Sequence, residues 1–155
     1  MSRSSNKQAL PLLKNILFGE GIRAALIFLN GLTEHRFSGL YRFDDDALKN
    51  LYFYDRENPT VESSPSVPAM ASYCVFVRNS GQRFIMENSL SDERVHDHPA
   101  QQEVQSYCGV PLVDRYGQVF GTICHFDLQP RSIALVDVEL MEEMSWLLKQ
   151  KTLLS

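Results

Sequence analysis

The sequence predicts an α+β domain in which a central antiparallel sheet of about five or six strands carries helices on its faces. Two observations support this prediction. Residues 106–127, SYCGVPLVDRYGQVFGTICHFD, form two apolar arms rich in β-branched and aromatic residues around a polar turn that contains Gly117, as in a β-hairpin. Stretches near both ends of the chain place apolar residues at the spacing of one helix face.

The N-terminal region is predicted to contain two helices. Residues 6–18 and residues 20–33 each place apolar side chains on one face, and Gly19 and Gly21 interrupt the pattern between them. We therefore divide the chain into an N-terminal helix, residues 1–18, which is a candidate dimer contact, and the domain proper, residues 19–155.

The next segment is predicted to form two strands and a loop. Residues 36–43 alternate in polarity and end in the acidic run Asp44-Asp45-Asp46, which we interpret as a solvated turn and not as a cation site. Residues 51–54 form a short strand rich in aromatic side chains. Residues 55–68 contain three prolines and are predicted to be a loop.

The second half of the chain is predicted to complete the sheet. Residues 67–78 favour a strand by propensity alone, and residues 82–87 are predicted as a strand. The polar residues 88–105 are predicted as a long loop or as a loop with one helical turn. The hairpin that follows is apolar enough to lie in the middle of the sheet, covered on both sides. A last helix is predicted to begin near Asp137 as its N-cap, with acidic residues early and lysines late, which suits the helix dipole.

Length and composition exclude several classes of protein. The 155 residues suffice for one domain with its own core, and 44% hydrophobic and 22% charged residues are typical of a soluble globular protein. The net charge of -4 offers no basic face, so nucleic acid is not expected as a partner. The sequence shows no signal peptide or membrane-spanning segment, so we expect a cytoplasmic location and no membrane partner.

Several short motifs together resemble the GAF domain family. They are Ser72-Tyr73-Cys74, Asp92-Glu93-Arg94, His98-Pro99-Ala100 and the pattern GVPL, polar turn, VFGTICHFD of the last hairpin. The resemblance extends over residues 19–148. It implies a GAF/PAS-like fold, in which residues 67–78 form a short helix packed across the sheet, and a sensory or regulatory function in signal transduction.

The resemblance also implies where a ligand binds. In GAF domains the ligand lies between the sheet and a covering helix and loop, which correspond here to residues 67–78 and 88–105. The family is further expected to form a homodimer through its first and last helices and to act on an effector protein. No signature for cyclic nucleotides or another ligand is present, so the ligand and any cofactor are unknown from sequence. The candidate ligand-binding residues are Tyr73, Cys74, Met86, His96 and Cys108.

Two alternatives to a ligand sensor stay open. Tyr73 and Met86 suit a filled interior equally well, which would leave a ligand-free dimerisation or protein-interaction module. One GAF subfamily is an enzyme, the free methionine-(R)-sulfoxide reductase, and Cys74 matches one cysteine of that subfamily. The resemblance places the attacking cysteine at Ala100, which has no thiol, so we expect no catalytic residue.

The cysteines and histidines are otherwise interpreted as structural. Cys124 and His125 are adjacent on a strand and point to opposite faces, so they cannot act together as nucleophile and base. His96 and His98 flank Asp97 in a loop without further ligands at suitable spacing, and we interpret them as solvated side chains and not as a metal site. All three cysteines are predicted to be free, buried thiols: Cys74, Cys108 and Cys124.

Overall fold

A computed structural model describes residues 3–154, with the side chains of residues 8–154. The described residues form six strands and four helices. The strands are β1 (Phe37–Asp44), β2 (Ala47–Asp55), β3 (Val67–Pro68), β4 (Phe84–Met86), β5 (Ser106–Val113) and β6 (Val119–Asp127). The helices are α1 (Arg3–Glu20), α2 (Ile22–Asn30), α3 (Cys74–Ser80) and α4 (Leu135–Gln150).

The strands form one antiparallel sheet in the order β3-β2-β1-β6-β5-β4. The predicted α+β class and strand number are therefore confirmed. The apolar hairpin of β5 and β6 lies inside the sheet, because β6 pairs with both β1 and β5. Its side chains are buried on both faces: Ile123 packs among the helices, whereas Cys124 packs in a second apolar cluster on the other face.

Three helices cover one face of the sheet. The core on this face unites α1, α2 and α4 with the central strands, and Leu13, Leu26, Ile123 and Met144 are among its buried members. The opposite face carries α3 and the segment 88–105, so the terminal helices and the predicted ligand cover lie on different sides. None of the helices in the described residues is long and apolar enough to cross a membrane.

Several predicted boundaries are wrong because packing and pairing decide where an element ends. The first helix continues through Gly19 to Glu20, and Gly21, with a φ of 105°, separates it from α2. Strand β2 is longer than residues 51–54, since it pairs with β1 along its whole length. Strand β4 is shorter than residues 82–87.

Residues 67–78 do not form a single helix. Val67 and Pro68 pair with the start of β2, and Ala69–Ala71 form one 3-10 turn. The α-helix begins only at Cys74 and ends at Ser80, and the next residue, Gly81, has a φ of 68°, the left-handed conformation that favours glycine at a helix C-terminus. The predicted helix therefore exists in this region but is shorter and later.

Asp137 is not the N-cap of α4. The helix begins at Leu135 with Ala134 as its N-cap, so Asp137 lies in the first turn. Its side chain is buried, and Oδ1 has no hydrogen-bond partner among the described residues. Burial raises the pKa of the Asp137 carboxyl to about 6.

A polar cluster is buried on the helix-covered side of β1 and β6. Ser38 Oγ hydrogen-bonds to His125 Nδ1 and accepts from Asn30 Nδ2 at 2.8 Å, while His35 Nδ1 pairs with Thr33 Oγ1 at 2.7 Å. The two imidazoles stack with centroids 6.1 Å apart, and neither Nε2 has a partner in the described part of the chain. Burial lowers the pKa of His35 to about 4 and that of His125 to about 3.

Candidate functional site

A cavity of about 340 Å³ lies between the sheet and the segments that cover its second face. Its volume is within the range of small-molecule sites. The sheet side is formed by Phe37, Tyr41, Leu48, Phe53, Tyr107, Cys124 and Phe126. The cover is formed by Ser64, Pro65, Val67, Ala71, Ser72, Tyr73, Cys74, Ala100, Glu103 and Val104.

The floor of the cavity is formed by Cys124 and by the rings of Tyr41 and Tyr107, which lie over two glycines of the neighbouring strands. Gly39 of β1 and Gly109 of β5 both lie opposite Cys124 of β6 in the strand register. A Cβ built at Gly39 would lie 2.5 Å from the Tyr41 ring, and a Cβ at Gly109 would overlap the Tyr107 side chain. Each tyrosine ring therefore lies over a glycine two residues away, and this flat arrangement leaves free volume above the sheet.

The roof of the cavity is held in place by Tyr73. Its hydroxyl donates to the Val104 carbonyl at 2.8 Å, which ties the start of α3 to the covering loop. Its ring contacts the rings of His98 and Tyr107, with centroids 4.8 Å and 5.6 Å away. Tyr73 is 1% exposed, so it links cover and sheet through the interior.

Two thiols and two hydroxyls meet beneath the roof. The Tyr107 hydroxyl donates to Cys74 Sγ at 3.2 Å, and Cys74 Sγ lies 3.1 Å from Thr122 Oγ1. Burial raises the pKa of the Cys74 thiol, but hydrogen bonds from Cys124, Ser72, Thr122 and Tyr107 outweigh burial, and the net pKa is lowered. Burial raises the pKa of the Cys124 thiol well above its ordinary value.

The structure brings two of the five candidate residues to the cavity. Tyr73 and Cys74 line it, whereas Met86 is buried in the adjoining apolar cluster without lining it. Cys108 lies on the helix-covered face, because side chains alternate along β5 and its neighbours Tyr107 and Gly109 take the cavity side. The expected position of Cys108 is thus corrected. Ligand contact by Tyr73 and Cys74 stays a prediction.

The loop histidines differ from one another. The His96 side chain is 67% exposed and lies 3.4 Å from Asp97, away from the cavity. The interpretation of His98 as solvated is wrong, since its ring packs against Tyr73 and Phe76 and its Nδ1 accepts from the Ala100 amide. Within the described residues, no three His, Cys, Asp or Glu side chains come together as a metal site.

Sequence reasoning missed most of the sheet side of the cavity. Its floor is formed by Tyr41, Tyr107 and Cys124. The sequence does contain a local signal for the two tyrosines. The chain contains Gly39-Leu40-Tyr41 and Tyr107-Cys108-Gly109, in which a tyrosine and a glycine share one face of a strand. This pattern allows the tyrosine ring to lie along the strand over the glycine. The side chain then extends less far from the sheet and leaves free volume above it.

The comparison with family models decides the classification. The model described as GAF domain matches residues 21–148. The chain belongs to the GAF domain family. None of the curated proteins compared with the sequence matches it.

Solved structures share the fold of this GAF domain at low sequence identity. Free methionine-R-sulfoxide reductase from Neisseria meningitidis, solved with its substrate, superposes with a TM-score of 0.75 at 16% identity, over 97% of this chain and 90% of that chain. The GAF domain of an Acinetobacter phosphoenolpyruvate-protein phosphotransferase gives a TM-score of 0.69 at 14% identity, over 97% and 93% of the two chains.

A chromophore-binding domain is also similar to this GAF domain. The chromophore-binding domain of Stigmatella aurantiaca phytochrome P1 gives a TM-score of 0.72 at 15% identity, over 93% of this chain and 60% of that chain. At such identities the similarity shows a shared fold alone. The structural neighbours thus include a reductase, a GAF domain of a phosphotransferase and a chromophore-binding domain of a phytochrome.

Proposed function

We propose that this GAF domain is a sensory module that binds a small molecule in the cavity between the sheet and residues 64–74 and 100–104. The observation that carries the proposal is the cavity itself, which stays open although large aromatic side chains surround it, because the Tyr41 and Tyr107 rings lie over Gly39 and Gly109. A ligand-free interaction module would have no need of this open volume, since larger side chains on the cavity lining would fill it.

Hydrogen bonds connect the cover to the segment that precedes the terminal helix, and this segment is the proposed route for a signal. The Gln105 amide, next to the lining residue Val104, donates to the Asp127 carbonyl at 3.0 Å. Arg131 Nε then bonds to Asp127 Oδ2 at 2.9 Å, shortly before α4 begins. In this proposal a bound molecule stabilises one position of the cover, and Asp127 and Arg131 transmit that position to α4.

A screen by thermal shift tests the binding proposal. A small molecule at one hundred times its dissociation constant adds about 2.7 kcal/mol to the free energy of unfolding. Ala71, which lines the cavity with a half-buried methyl group, offers a blocking variant, and Ala71→Phe is expected to abolish the shift. Ala24→Phe, on helix α2 across the sheet, is the matched control. A flat screen with wild-type protein would contradict the proposal.

We further propose that α1 and α4 form a homodimer contact and that the dimer acts on an effector protein. The proposed compartment is the cytoplasm, which suits three free thiols. These two helices expose large apolar side chains: Leu12 is 51% exposed, Phe18 is 49% exposed and Trp146 is 56% exposed. Light scattering after size exclusion should show a dimer for wild type and a monomer for Trp146→Glu. Tyr116→Glu, at an exposed turn, is the control and should leave the dimer intact.

A second candidate function is reduction of free methionine-R-sulfoxide, favoured by the Cys74 thiol on the cavity wall and by the similarity to the Neisseria meningitidis enzyme. Ala100 lines the same cavity, so the position expected for the attacking cysteine faces the right space but carries a methyl group. Turnover of the sulfoxide with thioredoxin that disappears in Cys74→Ser would establish this activity and overturn a purely sensory role.

A further inference from the structure

We infer that the cavity selects an uncharged aromatic molecule and rejects anions of the same shape. This inference rests on the proposed sensory function and adds the chemical class of the ligand. It follows from three properties of the cavity: the charges on its lining, the state of its hydrogen-bonding groups and the shape of its floor.

The lining offers no positive charge. Of the lining residues in the part of the chain that the structure describes, none is Lys, Arg or His, and Glu103 is the single charged one. Glu103 is exposed, which places its carboxylate at the rim. An anion entering the cavity would lose its hydration without gaining a counter-charge and would pass a negative group on the way.

The backbone donors nearest to the roof are already used. At the start of α3 the Cys74 amide donates to Ser72 Oγ at 3.1 Å, and the Val75 amide donates to the Ser72 carbonyl at 3.3 Å. The phenolic protons of Tyr73 and Tyr107 point to Val104 and Cys74. These groups therefore leave little hydrogen-bonding capacity for a carboxylate or phosphate, whose charge needs several donors.

The remaining surface suits a flat ring. Tyr41 and Tyr107 lie over glycines on the floor, and Phe37, Phe53 and Phe126 complete the sheet side. Aromatic side chains bind another ring in offset-stacked or edge-to-face geometry, with more favourable energy than area burial alone provides. Aromatic faces also attract cations. An ammonium group inside the cavity would nevertheless lose its hydration, and the Glu103 carboxylate compensates little because it stays hydrated at the rim.

Matched compounds with one ring system and different charge test the inference. Indole, indole-3-acetate and tryptamine form one such series, and 1-naphthol, 1-naphthoate and 1-naphthylmethylamine form another. Calorimetric titration of the full chain should show binding of the uncharged member of a series, with the anion at least about tenfold weaker. Tighter binding of the anion or of the cation would overturn the inference while leaving the sensory proposal intact. Absence of binding in every arm would overturn both.

A charge change at the rim provides a second, independent readout. Glu103→Lys should strengthen binding of indole-3-acetate several-fold relative to binding of indole, because the new cation acts chiefly on the charged compound. Glu93→Lys makes the same charge change at an exposed position that does not line the cavity and should alter neither affinity. Equal effects of the two variants would contradict the placement of the ligand beneath Glu103.

Discussion

Replacing Gly121 with alanine is expected to cost at least about 4 kcal/mol of unfolding free energy or to prevent folding. Gly121 lies on β6 opposite Arg42 of β1, at the centre of the sheet, and a Cβ there would overlap the carbonyl oxygen of Tyr41. A backbone oxygen cannot rotate away, so the two central strands would have to separate. Urea denaturation followed by circular dichroism measures the loss.

Gly39→Ala is the matched control for this prediction. Its new methyl group would meet the Tyr41 ring at 2.5 Å, and a side chain can move where a backbone atom cannot. We expect a loss of about 1–3 kcal/mol, as for other overpacked sites, with the displaced ring entering the cavity. If Gly121→Ala were as stable as Gly39→Ala, the tight approach of β1 and β6 described above would be incorrect.

The second large effect is a loss of stability as pH falls from 6.5 towards 4. Burial lowers the pKa of His35 to about 4 and that of His125 to about 3 from the ordinary value of 6.5. Within this window the unfolded chain therefore binds two protons that the folded protein excludes. Each such proton lowers the free energy of unfolding by about 1.4 kcal/mol per pH unit.

Asp137 opposes this trend in part. Its pKa of about 6, raised from 3.8 by burial, means that between pH 4 and pH 6 the folded protein keeps a proton that the unfolded chain has released. The slope from these three groups should therefore be about 1.4 kcal/mol per pH unit in wild type and about 2.7 kcal/mol per pH unit in Asp137→Asn, and the lowered pKa of His98 adds to both. Asp55, whose pKa Arg36 lowers to about 2 through a hydrogen bond, contributes mainly below pH 4, because its unfolded pKa is 3.8.

Urea titrations at half-unit pH steps measure both slopes, and proton NMR of the imidazoles checks their cause. A flat stability profile would contradict the prediction. An NMR titration of either ring near pH 6.5 would do so too, because it would show that the buried histidines accept protons without unfolding.

The fold was predictable because its strongest signals are local. The alternation and turn of residues 106–127 identified the central hairpin, and helical spacing identified α1, α2 and α4. Errors arose where distant partners decide the outcome. Val67 is extended because it pairs with Leu48, and α4 begins before Asp137 although aspartate is a favourable N-cap residue. Neither effect is encoded in a short window of sequence.

The site was predictable only in part. Tyr73 and Cys74 lie in a short segment that family resemblance aligns well, so the roof was anticipated. The floor depends on the register of three strands, which places Gly39, Cys124 and Gly109 in one row although they are far apart in sequence. A shift of one residue in β5 would have put Cys108 in the cavity, and residue types alone do not specify that register.

Amide NMR of nitrogen-labelled protein, titrated with indole or the uncharged aromatic compound that binds most tightly, tests the central claim most directly. The account predicts that the largest saturable shift changes occur at Gly39, Gly109 and Cys124, beneath the roof formed by Tyr73. Changes centred on the exposed helix surface around Trp146, or no saturable change with any compound of the two series, would contradict a ligand-binding cavity on this face of the sheet.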